Sequence, residues 1–528
     1  MKIKPLTCLL LLSSVSVVAN EPVKKQPNVF IAISDDQSFA HTSFNGCTFI
    51  NTPAFDKVAQ EGICFTNCIA GSPGCAPSRS TLVTGRFHWQ NEQAGQHASH
   101  WPAKYASIVD EFAANGYDTG RTGKGVGPFK YGAPYREFDA AGKSNDVILY
   151  GKNSKDERTA SGISNKNYYE NFKSFINNRD QQKPFFFWFG GHEPHRVFEE
   201  GSWKRMGKKL KDVVVPDFLP NTNIIKGDLL DYAVEIEWFD THLQKMLELM
   251  EAEGELDNTI VIITADNGMA FPRAKANCFE YGVHVPLAIR YPKEYPGNRK
   301  VDDVVSFADI APTIFEACNI KPQKMLPMSG ESIAHILASK KEGRIDKKRD
   351  YVFSGRERHS CSRYKNLGYP QRAIRSEQYL LIWNQRPERW PAGAPMRLTK
   401  KGGEECHPLY GVDEKGKHTS EWAFTDVDAA PSKSFLVEQK GKYPELFEKS
   451  YGKRGEFELY DIKRDPYCLN NLIDVTEYSV VLKRMKQALM SQLKKTKDPR
   501  VVGPDKELFD SYPRYSKMRY FPKPDWMN

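Results

Sequence analysis

The sequence has no long run of basic residues, no internal repeat and no low-complexity tract. Its 75 Lys and Arg residues outnumber its 66 Asp and Glu residues to give a net charge of +9 spread through the chain, so a nucleic-acid partner is not predicted. Hydrophobic residues (40 %), aromatic residues (12 %) and charged residues (27 %) are balanced as in folded globular proteins, which excludes a disordered or collagen-like chain. The mild basic surplus suits an anionic substrate.

No apolar stretch reaches the roughly 20 residues that a membrane-spanning helix requires, so no membrane anchor is expected. The first 19 residues instead combine two early lysines, Lys2 and Lys4, with a shorter apolar stretch and a small residue, Ala19. This pattern is typical of a cleaved secretory signal peptide, and it predicts a secreted or periplasmic protein.

Cysteine is scarce, with ten in 528 residues, of which Cys8 lies in the predicted signal peptide. An odd number of cysteines therefore remains in an oxidising compartment, which predicts that one of them has a chemical role of its own. Cys64 and Cys68 are close enough along the chain to form a disulfide, although spacing leaves the pairing open. The remaining cysteines are Cys47, Cys64, Cys68, Cys75, Cys278, Cys318, Cys361, Cys406 and Cys468.

Short apolar runs alternate with helical patterns in the first part of the chain, as a largely parallel sheet covered by helices requires. Residues 28–34, 184–189 and 259–264 are predicted as buried strands. Pro53 begins a predicted helix that ends near Gly62, and a longer amphipathic helix ends at Gly254. We expect a larger domain over residues 20–370.

From about residue 345 the chain becomes rich in Lys and Arg and is interrupted by Pro and Gly. Isolated strands are predicted at residues 372–374 and 379–383. These features indicate a smaller C-terminal domain over residues 371–528.

Acidic and amide side chains follow two of the predicted buried strands directly. Asp35 and Asp36 end the first, and Asp266 and Asn267 end the last. Ligands bind beyond the carboxyl ends of strands in such sheets, and clustered oxygen ligands favour Ca²⁺ or Mg²⁺. The alternative is that each pair caps a helix or faces water.

The stretch from Gly74 to Arg86 is the most informative one. Pro77 suits the first position of a helix, which places Cys75 at a helix N-terminus, where N–H groups attract anions. Arg79 lies four residues further on and therefore on the same side of the helix. Cys75 is interpreted as either a low-pKa nucleophile or a disulfide partner.

The pattern Cys75-x-Pro77-Ser78-Arg79-x-x-x-x-Thr84-Gly85-Arg86 resembles the signature of type I sulfatases. The resemblance covers residues 28 to about 472. It implies an alkaline-phosphatase-like α/β fold, with a mixed, mostly parallel sheet sandwiched by helices and a smaller C-terminal α+β domain carrying an antiparallel sheet. Besides the two metal-site pairs, the matching motifs are Gly116-Tyr117-Asp118-Thr119-Gly120-Arg121-Thr122-Gly123-Lys124, Gly191-His192-Glu193-Pro194-His195, Asp309-Ile310-Ala311-Pro312-Thr313 and Tyr460-Asp461-x-x-x-Asp465-Pro466.

By this resemblance a maturation enzyme converts Cys75 to formylglycine during export. One hydroxyl of the hydrated aldehyde attacks sulfur, and the other expels sulfate by reforming the aldehyde. The resemblance also implies one Ca²⁺, with Mg²⁺ as the alternative, held by Asp35, Asp36, residue 75, Asp266 and Asn267.

The resemblance further implies that Arg79 supports the formylglycine and that Lys124 and Lys275 bind sulfate oxygens. His192 is expected to donate a proton to the leaving group. Without the motif, the alternative interpretation of each lysine is a solvated surface charge, and that of His192 is a hydrogen-bonded histidine in the core.

One position departs from the family, which has His two residues after the motif Lys where this chain has Val126. His284 either compensates for the missing imidazole or has a packing role.

The segment from Asp266 to Lys275 resembles the heparan N-sulfatase-like branch, whose members act on glycosaminoglycans and on algal polysaccharides. The expected substrate is a sulfated carbohydrate. His97, His195, Arg358 and His359 are the candidate substrate contacts, with ordinary packing or a surface role as the alternative for each.

Two rival functions remain. A phosphomonoesterase or phosphodiesterase of the same superfold requires further Asp and His ligands for a second metal, whereas Asn267 and Gly268 follow Asp266 here. A catalytically inactive carbohydrate-binding protein results if Cys75 is never oxidised.

Overall fold

The structure, a computed structural model, describes residues 26–527, and the predicted signal peptide lies outside the described residues. The described strands are β1 Asn28–Ser34, β2 Ile63–Ile69, β3 Ser99–His100, β4 Asp118–Gly123, β5 Phe129–Lys130, β6 Phe185–Gly190, β7 Thr259–Ala265, β8 His284–Arg290, β9 Arg299–Val301, β10 Val305–Ser306, β11 Val352–Arg356, β12 Gln371–Arg375, β13 Tyr379–Asn384 and β14 Phe457–Asp461. The described helices are α1 Pro53–Glu61, α2 Cys75–Thr84, α3 Ile108–Ala114, α4 Tyr168–Asn178, α5 Ser202–Arg205, α6 Asn223–Ala252, α7 Glu280–Val283, α8 Ile310–Ala317, α9 Ala334–Ala338, α10 Pro431–Glu438, α11 Pro444–Tyr451, α12 Ser479–Lys495, α13 Pro499–Val502 and α14 Leu508–Ser511.

A mixed sheet of eight strands forms the larger part of the molecule, in the order β10-β2-β8-β7-β1-β6-β4 with β9 beside β2. Central strand β1 pairs in parallel with β6 and β7, and β8 runs antiparallel to both of its neighbours. The predicted mostly parallel sheet is therefore confirmed.

Helices cover both faces of this sheet because the strands are apolar on both sides. Phe30 of β1 belongs to a core with residues of α1, α4 and α6, whereas its neighbour Ile31 belongs to a core with residues of α2, α3, α8 and α9. Successive residues of a strand point to opposite faces, so a continuous apolar strand supplies both cores.

A second sheet of four antiparallel strands has the order β11-β12-β13-β14. Helix α12 packs on it through Met485, Leu489 and Leu493. The sheet includes β11, which precedes the predicted domain boundary near residue 370.

Two predicted helices differ from the observed ones. Helix α6 has 30 residues and begins at Asn223, because Ile225 and Leu229 extend its buried face into a separate apolar cluster. Helix α2 begins at Cys75, so Pro77 is its third residue and not its first. The first turn tolerates Pro there because its N–H groups have no partner within the helix.

The disulfide considered for Cys64 and Cys68 does not form. Both lie in β2 and are free, as are the other seven cysteines of the described residues. Four residues of a strand span about 13 Å, whereas the Cα atoms of a disulfide lie about 4.4–6.8 Å apart.

Among residues 26–527, no helix combines the length and the apolar character needed to cross a membrane.

Candidate active site

The carboxyl ends of β1 and β7 meet at one edge of the large sheet. Ser34 pairs with Ala265 at the end of the parallel register, so Asp35 and Asp266 follow side by side. Asp36 adopts a left-handed φ of 71°, and its backbone N–H donates to Asp266 Oδ1 at 3.0 Å. The structure thus brings the two acidic strand ends together.

Cys75 lies at the N-terminus of α2, buried beside this edge. One ligand atom from each of Asp35, Cys75 and Asp266 lies within 4.8 Å of the others, a group that could hold a metal ion. His359 lies against the preceding residue, since a Cβ added to Gly74 would be 3.1 Å from His359 Nδ1.

Two buried oxygens in this cluster have no hydrogen-bond partner within the described chain, Asp35 Oδ1 and Asn267 Oδ1. The amide group of Asn267 donates from Nδ2 to Asp36 Oδ1 at 2.8 Å. Buried oxygens without partners are costly, and carboxylate and amide oxygens are the ligands that hard divalent cations prefer. The residues present therefore fit Ca²⁺ or Mg²⁺.

Two of the predicted positively charged side chains, Arg79 and Lys124, border the same cluster. Arg79 Nε lies 2.7 Å from Asp266 Oδ2, and Arg79 also donates to the carbonyl oxygens of Lys124 and Gly125. The ammonium group of Lys124 donates to Asp35 Oδ2. Helix α2 and the end of β4 are thereby joined to the acidic strand ends.

Lys275 also borders the cluster, with Nζ 2.6 Å from Asp36 Oδ2. The same Nζ is 3.1 Å from Asp428 Oδ2. Asp428 was not identified from the sequence, and no motif marks it, because only the tertiary fold brings the segment before α10 to this site.

The two adjoining carboxyl groups differ in their acidity. Burial raises the pKa of Asp35, but Lys124 and His195 outweigh it, so this pKa lies well below its usual range. Burial and the charge of Asp35 raise the pKa of Asp266. Two carboxylates in contact compete for ionisation, and a divalent cation between them removes this conflict.

The Cys75 thiol is not activated as a thiolate. Burial raises its pKa to about 11, and the charges of Asp35 and Asp266 act in the same direction against Lys124. At neutral pH the thiol is almost entirely protonated and is a poor nucleophile. Cys75 is also free, so the disulfide alternative considered for it from the sequence does not describe it.

His192, the predicted acid, accepts a hydrogen bond from a neighbouring lysine. Lys166 Nζ donates to His192 Nε2 at 3.3 Å and lies 2.9 Å from Asp146 Oδ2. Burial lowers the pKa of His192 to about 3, and the charges of Lys166 and Lys124 contribute, so its ring is neutral at neutral pH.

His195, a predicted substrate contact, lies beside the acidic cluster itself. Its Nε2 is 3.9 Å from Asp36 Oδ2, and its side chain is 38 % exposed. Its Nδ1 donates to the Arg196 carbonyl oxygen at 2.6 Å, which leaves Nε2 for proton transfer at the cluster.

His97 and His359, two predicted substrate contacts, lie together, with 5.2 Å between their ring centroids. Burial lowers the pKa of His359 to about 3, and the charge of Lys275 contributes. Both rings are therefore hydrogen-bonding groups without charge at neutral pH.

Arg358 differs from its predicted role as a substrate contact. It is 2 % exposed, and its guanidinium donates to the carbonyl oxygens of Tyr512 and Pro513 and to the Ser99 hydroxyl. These bonds anchor the C-terminal segment.

His284 does not replace the imidazole missing at Val126, which is buried in the core. The His284 ring stacks on Phe39 with 4.1 Å between centroids. Its Nε2 donates to the Thr66 carbonyl oxygen at 2.9 Å, and its Nδ1 is 3.2 Å from Glu280. The packing alternative therefore describes this residue.

The sheet order, the covering helices and the second antiparallel sheet define an α/β protein of the alkaline-phosphatase-like fold class. A solved protein in complex with its substrate D-glucosamine-2-N,6-O-disulfate matches 90 % of this chain and 99 % of its own, with a TM-score of 0.62 and 19 % identity. The predicted fold class is confirmed.

The chain belongs to the sulfatase family, whose model matches residues 27–320, and it is a sulfuric ester hydrolase as predicted. A second model, N-sulphoglucosamine sulphohydrolase, C-terminal, matches residues 274–416. N-sulphoglucosamine sulphohydrolase of Homo sapiens is 24 % identical over 510 residues, which covers 90 % of this chain and 92 % of the human protein. An ulvan-active sulfatase of Formosa agariphila is 22 % identical over 489 residues, covering 88 % of this chain and 74 % of its own.

Proposed function

We propose that this protein removes sulfate from a sulfated saccharide, with residue 75 in the formylglycine form and one Ca²⁺, or alternatively Mg²⁺, in the acidic cluster. The observation that carries this proposal is the buried residue 75 at the start of α2, whose ligand atom lies within 4.8 Å of those of Asp35 and Asp266. As hydrated formylglycine, residue 75 supplies two hydroxyls on one carbon, one to attack sulfur and one to release sulfate.

Asp35, Asp36, Asp266 and Asn267 are the proposed protein ligands of the cation. The cation supplies a fixed positive charge that stabilises negative charge on sulfate oxygens and lowers the pKa of the attacking hydroxyl. Support comes from the unpartnered buried oxygens Asp35 Oδ1 and Asn267 Oδ1.

Lys124 and Lys275 are proposed to bind the sulfate oxygens at the cluster, where each ammonium group pairs with a different aspartate, Asp35 or Asp36. Arg79 holds Asp266 and the helix that carries residue 75 in fixed positions. We assign proton donation to the leaving group to His195 in preference to His192, since His192 Nε2 already accepts from Lys166.

The proposed substrate is a sulfated carbohydrate, a glycosaminoglycan or algal polysaccharide fragment. Supporting it are the names of similar proteins, which include N-sulphoglucosamine sulphohydrolase and an ulvan-active sulfatase. His97 and His359 supply neutral hydrogen-bonding groups beside residue 75. The proposed location is secreted or periplasmic, after maturation of Cys75 during export.

A panel of N-, 2-O-, 4-O- and 6-O-sulfated saccharides tests this proposal, with sulfate release measured by ion chromatography and phosphate release measured from matched phosphate esters. We expect sulfate release from at least one saccharide, greater than any phosphate release, and its loss in Cys75→Ala. Phosphate release that exceeds sulfate release identifies a phosphatase instead. Saccharide binding without release of either anion identifies an inactive binding protein.

A further inference from the structure

Asp428 lies beside the proposed sulfate-binding lysine. Its Oδ2 is 3.1 Å from Lys275 Nζ, and 30 % of its side chain remains exposed, whereas the Lys275 side chain is 4 % exposed. Lys275 Nζ also contacts Asp36 Oδ2 at 2.6 Å, so this ammonium lies between two carboxylates. One of them belongs to the acidic cluster, and the other, Asp428, is partly exposed.

The fold holds the segment that carries Asp428 in a fixed position. Lys433 of α10 is fully buried and its ammonium donates to several backbone carbonyl oxygens of this segment. Because one buried ammonium group binds several carbonyl oxygens of this segment, the backbone of the segment is held against α10 and has little freedom to move. The acceptors are the carbonyl oxygens of Ser420, Ala423, Phe424 and Val427.

A second set of contacts connects the same segment to Arg196, the residue that follows His195. Ser432, at the start of α10, donates from its hydroxyl to Asp228 Oδ2 at 2.5 Å. Asp228 in turn pairs with both terminal nitrogens of Arg196, at 2.7 and 2.8 Å, and Arg196 follows His195. Asp428 is therefore positioned relative to both Lys275 and His195.

A carboxylate in this position opposes the binding of an anion. Burial raises the pKa of Asp428, but Lys275 and His195 outweigh it and hold this pKa well below its usual range, so the group is an anionic hydrogen-bond acceptor at neutral pH. A partly exposed, ionised acceptor beside an anion-binding lysine favours ligands that place a donor against it and disfavours ligands that place a second anion there.

We propose that Asp428 is a specificity-determining residue that accepts a hydrogen bond from a hydroxyl or ammonium group next to the scissile sulfate on the sugar ring. It excludes sugars that carry a second sulfate or a carboxylate at that neighbouring position. This inference rests on the proposed sulfatase reaction at residue 75, and it narrows the substrate to saccharides with an unsubstituted donor beside the sulfate.

The test compares two pairs of sugars, glucosamine 2-N-sulfate with glucosamine 2-N,3-O-disulfate, and N-acetylglucosamine 6-O-sulfate with N-acetylglucosamine 4,6-di-O-sulfate. In each pair a hydroxyl next to the scissile sulfate is replaced by sulfate. For the wild type, Asp428→Asn and Glu421→Gln, kcat/KM is measured on every sugar that is hydrolysed. Glu421→Gln removes the same charge from the same segment at an exposed pair with Arg519.

We expect the wild type and Glu421→Gln to prefer the sugar with the free hydroxyl at least about tenfold, and Asp428→Asn to lose most of that preference. An equal fall in kcat/KM on both members of a pair would overturn the inference, because it indicates that Asp428 only positions Lys275.

Calorimetric binding of the same four sugars to Cys75→Ser, with and without Asp428→Asn, separates this inference from the proposed reaction. If no sugar is hydrolysed but Asp428→Asn removes the binding preference, the proposed reaction fails and the specificity role stands. Equal binding of both members of each pair by both variants, or no binding of any of the four sugars, contradicts the specificity role.

Discussion

Arg79 Nε lies 2.7 Å from Asp266 Oδ2, and both side chains are completely buried. This pair connects the helix that begins with Cys75 to the end of β7, so one contact fixes the position of residue 75 relative to the acidic cluster. Burial opposes the charge of Arg79, but Asp266 and Asp35 raise its pKa above its usual value. The guanidinium is thus a permanent counter-charge for the site.

Removal of Arg79 leaves Asp266 as a buried carboxylate without its partner. We expect Arg79→Ala to lower the free energy of unfolding by about 3–5 kcal/mol, the usual cost of breaking a buried pair. Urea unfolding measures this change. Arg349→Ala, which breaks the pair with Asp309 away from the site, is the comparison for loss of a largely buried arginine. An unchanged urea midpoint for Arg79→Ala contradicts the role given to this contact.

Lys275 is expected to act on the sulfate group during the reaction. Lys275→Ala should lower kcat by about 10²–10³, the loss seen when one donor to a developing oxyanion is removed. Steady-state kinetics on the best sulfated saccharide measures it, with exposed Lys417→Ala as the control. A loss below about threefold is incompatible with sulfate binding by Lys275.

Cation binding should stabilise the folded protein whether or not residue 75 is modified. At a Ca²⁺ concentration about 100 times its dissociation constant, the expected gain in unfolding free energy is about 2.7 kcal/mol. Thermal unfolding with EDTA and with added Ca²⁺ measures the gain, which should disappear in Asp35→Ala. A Ca²⁺-induced shift that persists in Asp35→Ala places the cation elsewhere.

Acid should destabilise the protein through buried histidines. Burial lowers the pKa of His242 to about 3, and its Nδ1 accepts from the Tyr169 backbone N–H at 3.2 Å. Because the unfolded chain binds a proton near pH 6.5 and the folded chain does not, this contribution to stability is complete above pH 6.5 and is lost as the pH falls toward 3, by up to about 1.4 kcal/mol per pH unit.

Unfolding free energies of the wild type and His242→Asn at pH 7, 6 and 5 test this dependence. The difference in unfolding free energy between the two proteins should narrow as the pH falls. A difference that stays constant over this range shows that His242 binds its proton at the same pH in the folded and unfolded states, which contradicts this account.

The sequence was sufficient to predict the parts of the site that lie within short motifs. Asp35 and Asp266 follow strands, Cys75 begins a helix and Arg79 lies one turn further along it, and such local signals fix where each side chain lies relative to the sheet. The limits of the five predicted strands lie within one residue of those observed, since continuous apolar runs such as the one within Asn28–Ser34 have few alternatives.

Relationships that depend on distant segments were not predictable. Asp428 reaches Lys275 only through the packing of α10 against α6, and Lys166 reaches His192 through a loop without a motif. No sequence motif indicates this lysine beside His192. Arg358 donates to carbonyl oxygens of the C-terminal segment. These partners lie far from it along the chain, so its sequence neighbours did not indicate them.

Mass spectrometry of the tryptic peptide over residues 58–79, from active protein alkylated with iodoacetamide, tests the central claim most directly. This peptide contains Cys64, Cys68 and Cys75. Conversion of Cys75 to formylglycine lowers its mass by about 18 Da, the difference between a CH₂SH and a CHO group, and leaves two alkylated cysteines in place of three. We expect the modified fraction to rise and fall with sulfate release across preparations. Three alkylated cysteines in a preparation of full activity would contradict the account.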